Sequence, residues 1–147
     1  MITAMEVNFK KFHPDAVIPA YSRIGDAAMD LTTVTDGKLS QDRDFVEYDT
    51  KIGIEIPEGF VGLIFPRSSI SQYRLSLCNS VPVIDSNYRG SLKLRFRLLS
   101  ETSSLRYKAG DRIGQLMIFP YPVITLKEVQ ELSETARGDG SFGSSGV

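Results

Sequence analysis

The chain has 147 residues, of which 41% are hydrophobic and 24% are charged, as expected for one globular domain with its own core. The net charge of −1 gives no electrostatic basis for nucleic acid or an anionic membrane as the main partner. With a single cysteine the chain cannot form an internal disulfide, and one histidine and one cysteine are too few for the usual zinc site. No apolar run is long enough to span a bilayer. We therefore expect a soluble intracellular protein of the cytoplasm, with the nucleus left open.

The sequence is patterned mostly as short β-strands separated by turns. The clearest strand is SLKLRFRLL, in which apolar residues alternate with lysine and arginine. In chain order, strands are predicted at 5–9, 51–57, 60–65, 91–99, 113–120 and 122–132. The turn sequence Pro57-Glu58-Gly59 predicts that the second and third of these strands form a hairpin. Residues 68–77 are the best candidate for a short helix of one or two turns, so the pattern favours an all-β sandwich or barrel.

Five polar stretches interrupt this pattern, and each alone has an ordinary explanation. They are residues 25–31, 66–69, 85–90, 109–112 and 137–147. Asp, Asn and Gly favour turns between strands, and Ser68 or Ser69 could be the N-cap of the short helix. The last stretch is rich in glycine and serine and could be a frayed end.

Taken together, the same stretches contain the groups that bind a polyphosphate. An arginine followed by two serines at 67–69 offers a planar fork of N–H donors, hydroxyls and backbone N–H groups. Gln115 adds an amide donor, and the terminal stretch adds another arginine and two serines. Asp30 and Asp85 could hold a hard cation directly or through water, or could act as a general base.

In order and spacing, five motifs resemble those of the trimeric deoxyuridine triphosphatases (dUTPases), and the resemblance covers nearly the whole chain. The motifs are GDAAMDL (25–31), PRSS (66–69), CNSVPVIDSNYRG (78–90), AGDRIGQ (109–115) and RGDGSFGSSG (137–146). The resemblance implies an all-β, antiparallel jelly-roll-like β-barrel with at most one short helix and a flexible C-terminal tail. The barrel domain would span residues 1–132, and residues 133–147 would form an arm that closes over the active site. The family resemblance also implies a homotrimer with shared active sites.

The implied reaction is hydrolysis of dUTP to dUMP and pyrophosphate by Mg²⁺-dependent attack of water on the α-phosphorus. This reaction supplies dUMP and keeps uracil out of DNA. Asp85 is the implied catalytic residue, which orients and deprotonates the water. Asp30 would either reach Mg²⁺ through water or support Arg67, while the substrate phosphates hold most of the metal.

The resemblance also implies which residues bind the substrate. The phosphates would be held by Arg67, Ser68, Ser69 and Gln115, and the γ-phosphate by Arg137, Ser144 and Ser145 of the tail. The uracil slot would be lined by Asn79, Val83, Ile84, Asp85 and Lys93. Tyr88 would pack on the sugar and leave no room for a ribose 2′-hydroxyl, and Phe142, followed by Gly143, would stack over the uracil.

Three positions depart from glycines that are usual in the family, namely Ala28, Pro82 and Ser141. Pro82 matters most, because proline fixes φ and lacks an N–H within the strand that supports the uracil slot. This departure puts the affinity for the base in doubt, but not the type of reaction.

Three alternative functions are weighed against this one. A dCTP deaminase of the same fold would need a glutamate on the strand after the third motif, and residues 91–99 contain none. A nucleotide-gated regulator of the same fold would engage a protein partner, for which the polar loop 100–108 is the candidate surface. Nucleic-acid binding would use the basic face of Lys93, Arg95 and Arg97, but the net charge argues against it.

Overall fold

The computed structural model of the protein describes residues 3–100 and 106–146. In this part of the chain the elements are β1 (Asn8–Lys11), β2 (Met29–Thr32), β3 (Lys38–Leu39), β4 (Phe45–Asp49), β5 (Ile52–Glu55), β6 (Phe60–Phe65), a 3₁₀ helix (Ser68–Gln72), β7 (Leu75–Leu77), β8 (Val83–Ile84), β9 (Lys93–Leu98) and β10 (Arg112–Pro120). None of the described residues belongs to a helix with the length and apolar character that a membrane crossing requires.

Two four-stranded antiparallel sheets form the body of the protein. One has the strand order β2-β10-β6-β8, the other has the order β3-β4-β9-β7, and β1 pairs separately with β5. The two larger sheets face each other, since a Cβ added at Gly114 of β10 would lie 2.7 Å from a methyl of Leu94 on β9. Their inner faces share one core, to which Ile64 and Leu116 come from one sheet and Phe96 from the other. The all-β, jelly-roll-like architecture expected from the sequence is confirmed.

Strand β9 has the two faces that its sequence predicts. The apolar residues on its inner face, each no more than 1% exposed, are Leu92, Leu94 and Phe96. Burial of such a side chain contributes about 1.5–3 kcal/mol. On the outer face Lys93 and Arg95 lie 3.8 and 2.8 Å from Glu47, and Arg97 lies 3.0 Å from Asp44. Carboxylates across the sheet therefore compensate the basic face that could have served nucleic acid.

The predicted hairpin between residues 51–57 and 60–65 is wrong. Both strands form, but β5 pairs with β1, whereas β6 lies between β8 and β10 in another sheet. The turn itself is present, because the Phe60 N–H donates to the Pro57 carbonyl at 3.1 Å. Turn residues specify that the chain reverses, but they do not specify which strand becomes the neighbour. Here the chain changes sheets at the turn.

The strand predicted at 122–132 does not form in the described chain. Strand β10 ends at Pro120, and the residues that follow pair with no strand of the described part. Large apolar side chains of this segment are exposed, by 83% for Val123, 92% for Leu126 and 87% for Leu132. An apolar pattern that suits a strand is not sufficient, because a strand also needs a neighbouring edge for its hydrogen bonds.

Two further boundaries differ from those predicted. The strand expected at 5–9 begins at Asn8. The short helix expected within 68–77 forms over its first five residues, and Tyr73 then returns to an extended conformation with φ −108° and ψ 153°. The remaining residues Leu75–Leu77 become strand β7, because their side chains pack on the core beside β9.

Candidate functional site

The register of three neighbouring strands brings together the phosphate-binding candidates. Gln115 of β10 lies opposite Asp30 of β2 on one side and opposite Phe65, the last residue of β6, on the other. The Gln115 side-chain amide donates to the carbonyl of Pro66 at 3.1 Å, directly before Arg67. We call Asp30, Arg67, Ser68, Ser69 and Gln115 the β6-end cluster.

Arg67 is the cation at the centre of this cluster, and Asp30 holds it. The Arg67 Nε lies 3.3 Å from Asp30 Oδ1, and the two side chains are 28% and 19% exposed. Among the described residues, no hydrogen bond engages the two terminal nitrogens of this guanidinium. These nitrogens are available to a ligand, and the ion pair fixes the direction in which they point.

Ser68 and Ser69 open the 3₁₀ helix immediately after Arg67. Neither serine is the N-cap, because Arg67 occupies that position with an extended backbone and makes no side-chain capping hydrogen bond. The explanation of these serines as helix caps is therefore wrong. Their hydroxyls and the first N–H groups of the helix directly follow Arg67 in the chain and are groups of the kind that bind an anion.

Two residues that the sequence analysis missed complete the surroundings of Asp30. Its Oδ2 accepts a hydrogen bond from the Ser22 hydroxyl at 2.5 Å and another from Arg112 Nη1 at 3.1 Å. Partial burial raises the pKa of Asp30, but the Ser22 hydrogen bond and the charges of Arg112 and Arg67 outweigh it and hold this pKa below its ordinary value. The charge of Arg112, within the fourth motif, was a signal that could have identified it, whereas an isolated serine at position 22 gives none.

A β-bulge directs Arg112 toward Asp30. The register of β10 on β2 shifts after Arg112, so that Arg112 lies opposite Thr32. On a regular strand, Arg112 and Gln115 would point to opposite faces, because they are three residues apart. The extra residue, Ile113, points into the core with 0% exposure, and the bulge places Arg112 on the face of the sheet that carries Asp30.

The surroundings of Asp30 do not fit direct coordination of Mg²⁺. One carboxylate oxygen faces the Arg67 guanidinium, and the other already accepts hydrogen bonds from Ser22 and Arg112. Within the part of the chain that the structure describes, no group of three or more acidic, histidine or cysteine side chains could hold a metal ion. Of the two roles left open for Asp30, these contacts favour the support of Arg67.

Two candidates for the uracil slot, Val83 and Ile84, form β8, which pairs with β6 at the edge of its sheet. The Ile64 N–H of β6 donates to the Pro82 carbonyl at 3.1 Å. Since backbone groups of successive strand residues point to opposite sides, Ile84 also faces β6, whereas the N–H and C=O of Val83 face away from it. In the described chain no strand covers that side of β8, so Val83 presents one donor and one acceptor at a free edge.

The departure at Pro82 falls on the side of the strand that faces β6. A residue with an N–H would also donate to the carbonyl of Ile64, so the proline costs one ladder hydrogen bond, about 0.5–1.5 kcal/mol. The free edge at Val83 is not altered. Ala28 and Ser141 are not among the described residues with positive φ, so neither departure strains the backbone.

The loop that follows β8 presents Asp85 and Tyr88. Asp85 is exposed, and its carbonyl accepts the Tyr88 N–H at 3.1 Å, so the turn predicted at 85–90 is confirmed. The Tyr88 hydroxyl donates to the Ser91 carbonyl at 2.9 Å, and its ring is 42% exposed. A Cβ added at Gly90 would lie 2.7 Å from Tyr88 Cζ, so only glycine leaves room for this ring position.

Asn79 and Lys93 flank the same segment in sequence. Asn79 lies in the turn between β7 and β8, where its carbonyl accepts the Val81 N–H at 2.6 Å. Lys93 begins β9, and its charge lies 3.8 Å from Glu47. In the described chain neither side chain forms a hydrogen bond with Asp85.

The candidates in the C-terminal tail lie neither at the β6-end cluster nor at the uracil-slot candidates around β8. Arg137 Nε donates to the Gly140 carbonyl at 2.9 Å, and Phe142 is fully exposed. Within the residues that the structure describes, the hydrogen bonds of 122–146 all lie inside that segment. The tail candidates that remain apart from the barrel are Arg137, Phe142, Gly143, Ser144 and Ser145.

The β6-end cluster and the loop after β8 occupy opposite ends of β6. Ile84 lies opposite Gly62, so Asp85 is level with Val61 near the start of β6, while Arg67 follows its end. Six residues at ~3.3 Å per residue separate Val61 from Arg67 by about 20 Å. One chain therefore does not bring Asp85 and Arg67 to the same phosphate.

The loop 100–108, the candidate surface of a nucleotide-gated regulator, contains residues 101–105, which lie outside the described part. That alternative stays a prediction.

Comparison with known proteins gives matches over nearly the whole chain. The family model described as dUTPase matches residues 15–146. The deoxyuridine 5′-triphosphate nucleotidohydrolase of Hydrogenobaculum sp. (strain Y04AAS1) is 37% identical over 144 residues, covering 97% of this chain and 99% of the relative. The protein of the same name from Clostridium kluyveri is 35% identical over 145 residues, with 97% and 99% covered.

Solved structures share the fold. A mutant of Staphylococcus bacteriophage 80alpha dUTPase with dUpNHpp has a TM-score of 0.81 and 26% identity, covering 98% of this chain and 100% of that chain. A mutant dUTPase of phage phi11 of S. aureus, described with the coordination of a structural Mg(II) ion, has a TM-score of 0.74 and 21% identity, covering 88% and 100%.

Proposed function

The chain belongs to the dUTPase family, and we propose that it hydrolyses dUTP to dUMP and pyrophosphate, which supplies dUMP and keeps uracil out of DNA. The observation that carries this proposal is the β6-end cluster, where Asp30 holds Arg67 with its terminal nitrogens available. A planar guanidinium that is followed in the chain by two serines and the first N–H groups of a helix is suited to a chain of phosphates.

We propose that the free edge of β8 recognises the base of the substrate. The N–H and C=O of Val83 can pair with the edge of uracil as a neighbouring strand would. Cytosine reverses the donor and acceptor pattern at its 4-amino and N3 positions, and each buried polar group left unpaired costs about 1–3 kcal/mol. Tyr88, held over Gly90, would pack on the sugar and exclude a 2′-hydroxyl.

Asp85 is the proposed base of the chemical step. The oxygen of a water molecule attacks the α-phosphorus, and the bond between that phosphorus and the oxygen bridging to the β-phosphorus breaks. Pyrophosphate leaves with the bridging oxygen and its electron pair, and Asp85 accepts the proton of the water. Donors such as Arg67 and Gln115 would stabilise the negative charge that develops on the leaving group.

Mg²⁺ is the proposed cofactor. Because both oxygens of Asp30 are engaged, the ion would be held mainly by the phosphates of the substrate, and no carboxylate of the β6-end cluster would bind it directly. Bound there, Mg²⁺ would neutralise phosphate charge and limit the conformations of the chain of phosphates.

We propose a homotrimer in which each site combines residues of different copies. The distance of about 20 Å along β6 between the level of Asp85 and Arg67 supports sharing. The exposed apolar segment 122–132 supports assembly, because monomers rarely expose such a run and a neighbouring sheet edge would cover it.

The tail, 133–147, is proposed to close over the site of another copy. Its arginine and two serines would bind the γ-phosphate. Phe142 would stack on the uracil, an interaction of about 1–3 kcal/mol.

The test is pyrophosphate release from dUTP, dCTP, dTTP and UTP, each with and without Mg²⁺. The proposal requires Mg²⁺-dependent turnover of dUTP far above the others, and equal turnover of dTTP would refute the uracil slot. Asp85→Asn should abolish turnover and leave dUTP binding largely intact. Asp15→Asn is the matched control, since Asp15 is an exposed aspartate outside every motif.

A further inference from the structure

We infer that Ser22 is a positioning residue for the phosphate site, because its hydroxyl fixes the carboxylate of Asp30 and thereby the guanidinium of Arg67. This inference rests on the proposed function for its substrate, dUTP. Its geometric basis is a continuous series of contacts, with 2.5 Å from Ser22 Oγ to Asp30 Oδ2 and 3.3 Å from Asp30 Oδ1 to Arg67 Nε.

A hydroxyl is specifically suited to this position. Ser22 Oγ donates to Asp30 and accepts from Arg112 Nη1 at 3.2 Å, while the same Arg112 nitrogen donates to Asp30 Oδ2 at 3.1 Å. The side chain at position 22 must donate to Asp30 and accept from Arg112 to complete these three hydrogen bonds, and serine and threonine hydroxyls can do both. With Oδ2 held by two donors, the plane of the carboxylate is set, and Oδ1 is directed at Arg67.

The backbone holds Ser22 at this place. The Asp30 N–H donates to the Ala20 carbonyl at 2.9 Å, which ties the segment before Ser22 to β2. After Ser22, the Asp26 carboxylate accepts the Arg23 N–H at 2.8 Å, and the Asp26 N–H donates to the Arg23 carbonyl at 3.2 Å. Backbone hydrogen bonds before and after Ser22 therefore hold its hydroxyl next to Asp30.

The same contact also helps to lower the pKa of Asp30. Partial burial raises the pKa of Asp30, and the Ser22 hydrogen bond is the strongest of the influences that lower it. Loss of the hydroxyl would remove this influence on the pKa of Asp30, together with one of the two donors that hold its Oδ2.

The test compares Ser22→Ala, Ser22→Thr and the control Ser40→Ala. Ser40 donates to Asp42 at 2.6 Å in the turn between β3 and β4, so the control removes the same kind of hydrogen bond away from the site. The measurements are the Kd of inorganic tripolyphosphate and the KM and kcat for dUTP. Ser22→Ala should raise Kd and KM about tenfold, with a smaller change in kcat, whereas Ser22→Thr should remain within about threefold of wild type.

The Asp30→Asn background decides whether Ser22 acts through Asp30. There, Ser22→Ala should have no further effect on tripolyphosphate binding, and the same tenfold effect in both backgrounds would overturn the inference. An unchanged Kd for Ser22→Ala, or wild type that binds no tripolyphosphate, would also overturn it. Wild type that binds tripolyphosphate but does not hydrolyse dUTP would refute the proposed function, while the binding measurements would still decide the role of Ser22.

Discussion

The distance between Asp85 and Arg67 can be tested by mixing two inactive variants. Asp85→Asn removes the proposed base, and Arg67→Gln removes the cation of the β6-end cluster, so each variant alone should lose turnover of dUTP. If one site takes Asp85 from one copy and Arg67 from another, a mixed trimer contains some sites in which both residues are intact. If both residues came from one copy, every site would carry a defect.

The expected recovery follows from the geometry. Asp85 is level with Val61, about 20 Å along β6 from Arg67, whereas a reacting atom must lie within about 3–3.5 Å of the group it meets. In trimers assembled at random from equal amounts, each contributing copy is intact at its position in about half of cases. About one quarter of all sites are then complete, and all of them lie in the mixed trimers, which are about three quarters of the total. Turnover of mixed trimers purified through both tags should therefore recover to about one third of wild type.

The assay is pyrophosphate release after the two variants, carrying different affinity tags, are produced together and purified through both tags. Each variant assembled with a differently tagged copy of itself is the control and should stay inactive. Turnover no higher than in these controls, in a sample that contains both tags, would refute the shared site and the reasoning from the length of β6.

Three further outcomes are expected. Gly90→Ala would place a methyl group against the Tyr88 ring and should reduce the selectivity for dUTP over UTP about tenfold, as expected for about 1–1.5 kcal/mol of lost packing. Tyr88→Phe, which keeps the ring, is the control. Unchanged selectivity of Gly90→Ala would contradict the packing of Tyr88 on the sugar. Truncation after Thr135 should leave thermal unfolding of the barrel unchanged but severely reduce turnover, so full activity would exclude the tail as a clamp. The Tyr107 hydroxyl is buried without a hydrogen-bond partner in the described chain, and Tyr107→Phe should raise the free energy of unfolding by about 1 kcal/mol. Burial, and to a lesser extent the neighbouring Tyr73, raises the pKa of Tyr107 to about 12. Between about pH 10 and 12 the unfolded chain therefore loses a proton that the folded chain keeps, and the free energy of unfolding falls as the pH rises. Denaturant titrations should show a smaller fall over this window in Tyr107→Phe, and an equal fall would contradict the assignment.

The sequence predicted the strands whose signal is local, and it failed where a distant neighbour decides. The alternation in β9 identified its buried face, because side-chain direction depends only on the pleat of that strand. The proposed pairing of β5 with β6 was wrong, since each strand found another edge across the barrel. The segment 122–132 has the pattern of a strand without an edge to pair with in the described chain, and no local signal reports that.

The candidate site shows the same division between local and distant information. Motif order located Arg67 and Gln115, and the register of β10 places them side by side. Ser22 could not be found, because its importance depends on a hydrogen bond across the bridge between Ala20 and Asp30. The orientation of Arg112 depends on a β-bulge, and no residue type in the sequence predicts that bulge.

The charges of the β6-end cluster favour an anion at one end of β6, whereas Asp85, the proposed base, is level with the other end. Asp30 supplies one negative charge, while Arg67 and Arg112 supply two positive charges, so this end retains an excess of about one positive charge for a ligand. A phosphate chain is attracted there, whereas a base placed beside two guanidinium groups would be held as a weak proton acceptor. Asp85 lies in an exposed turn that is level with the other end of the strand, and it is remote from Arg67 and Arg112 of its own chain. In the proposed assembly, Asp85 of one copy would reach the α-phosphorus while Arg67 of another copy holds the phosphates, and the negative charge of the bound phosphates would offset the positive charge of the arginines at that site.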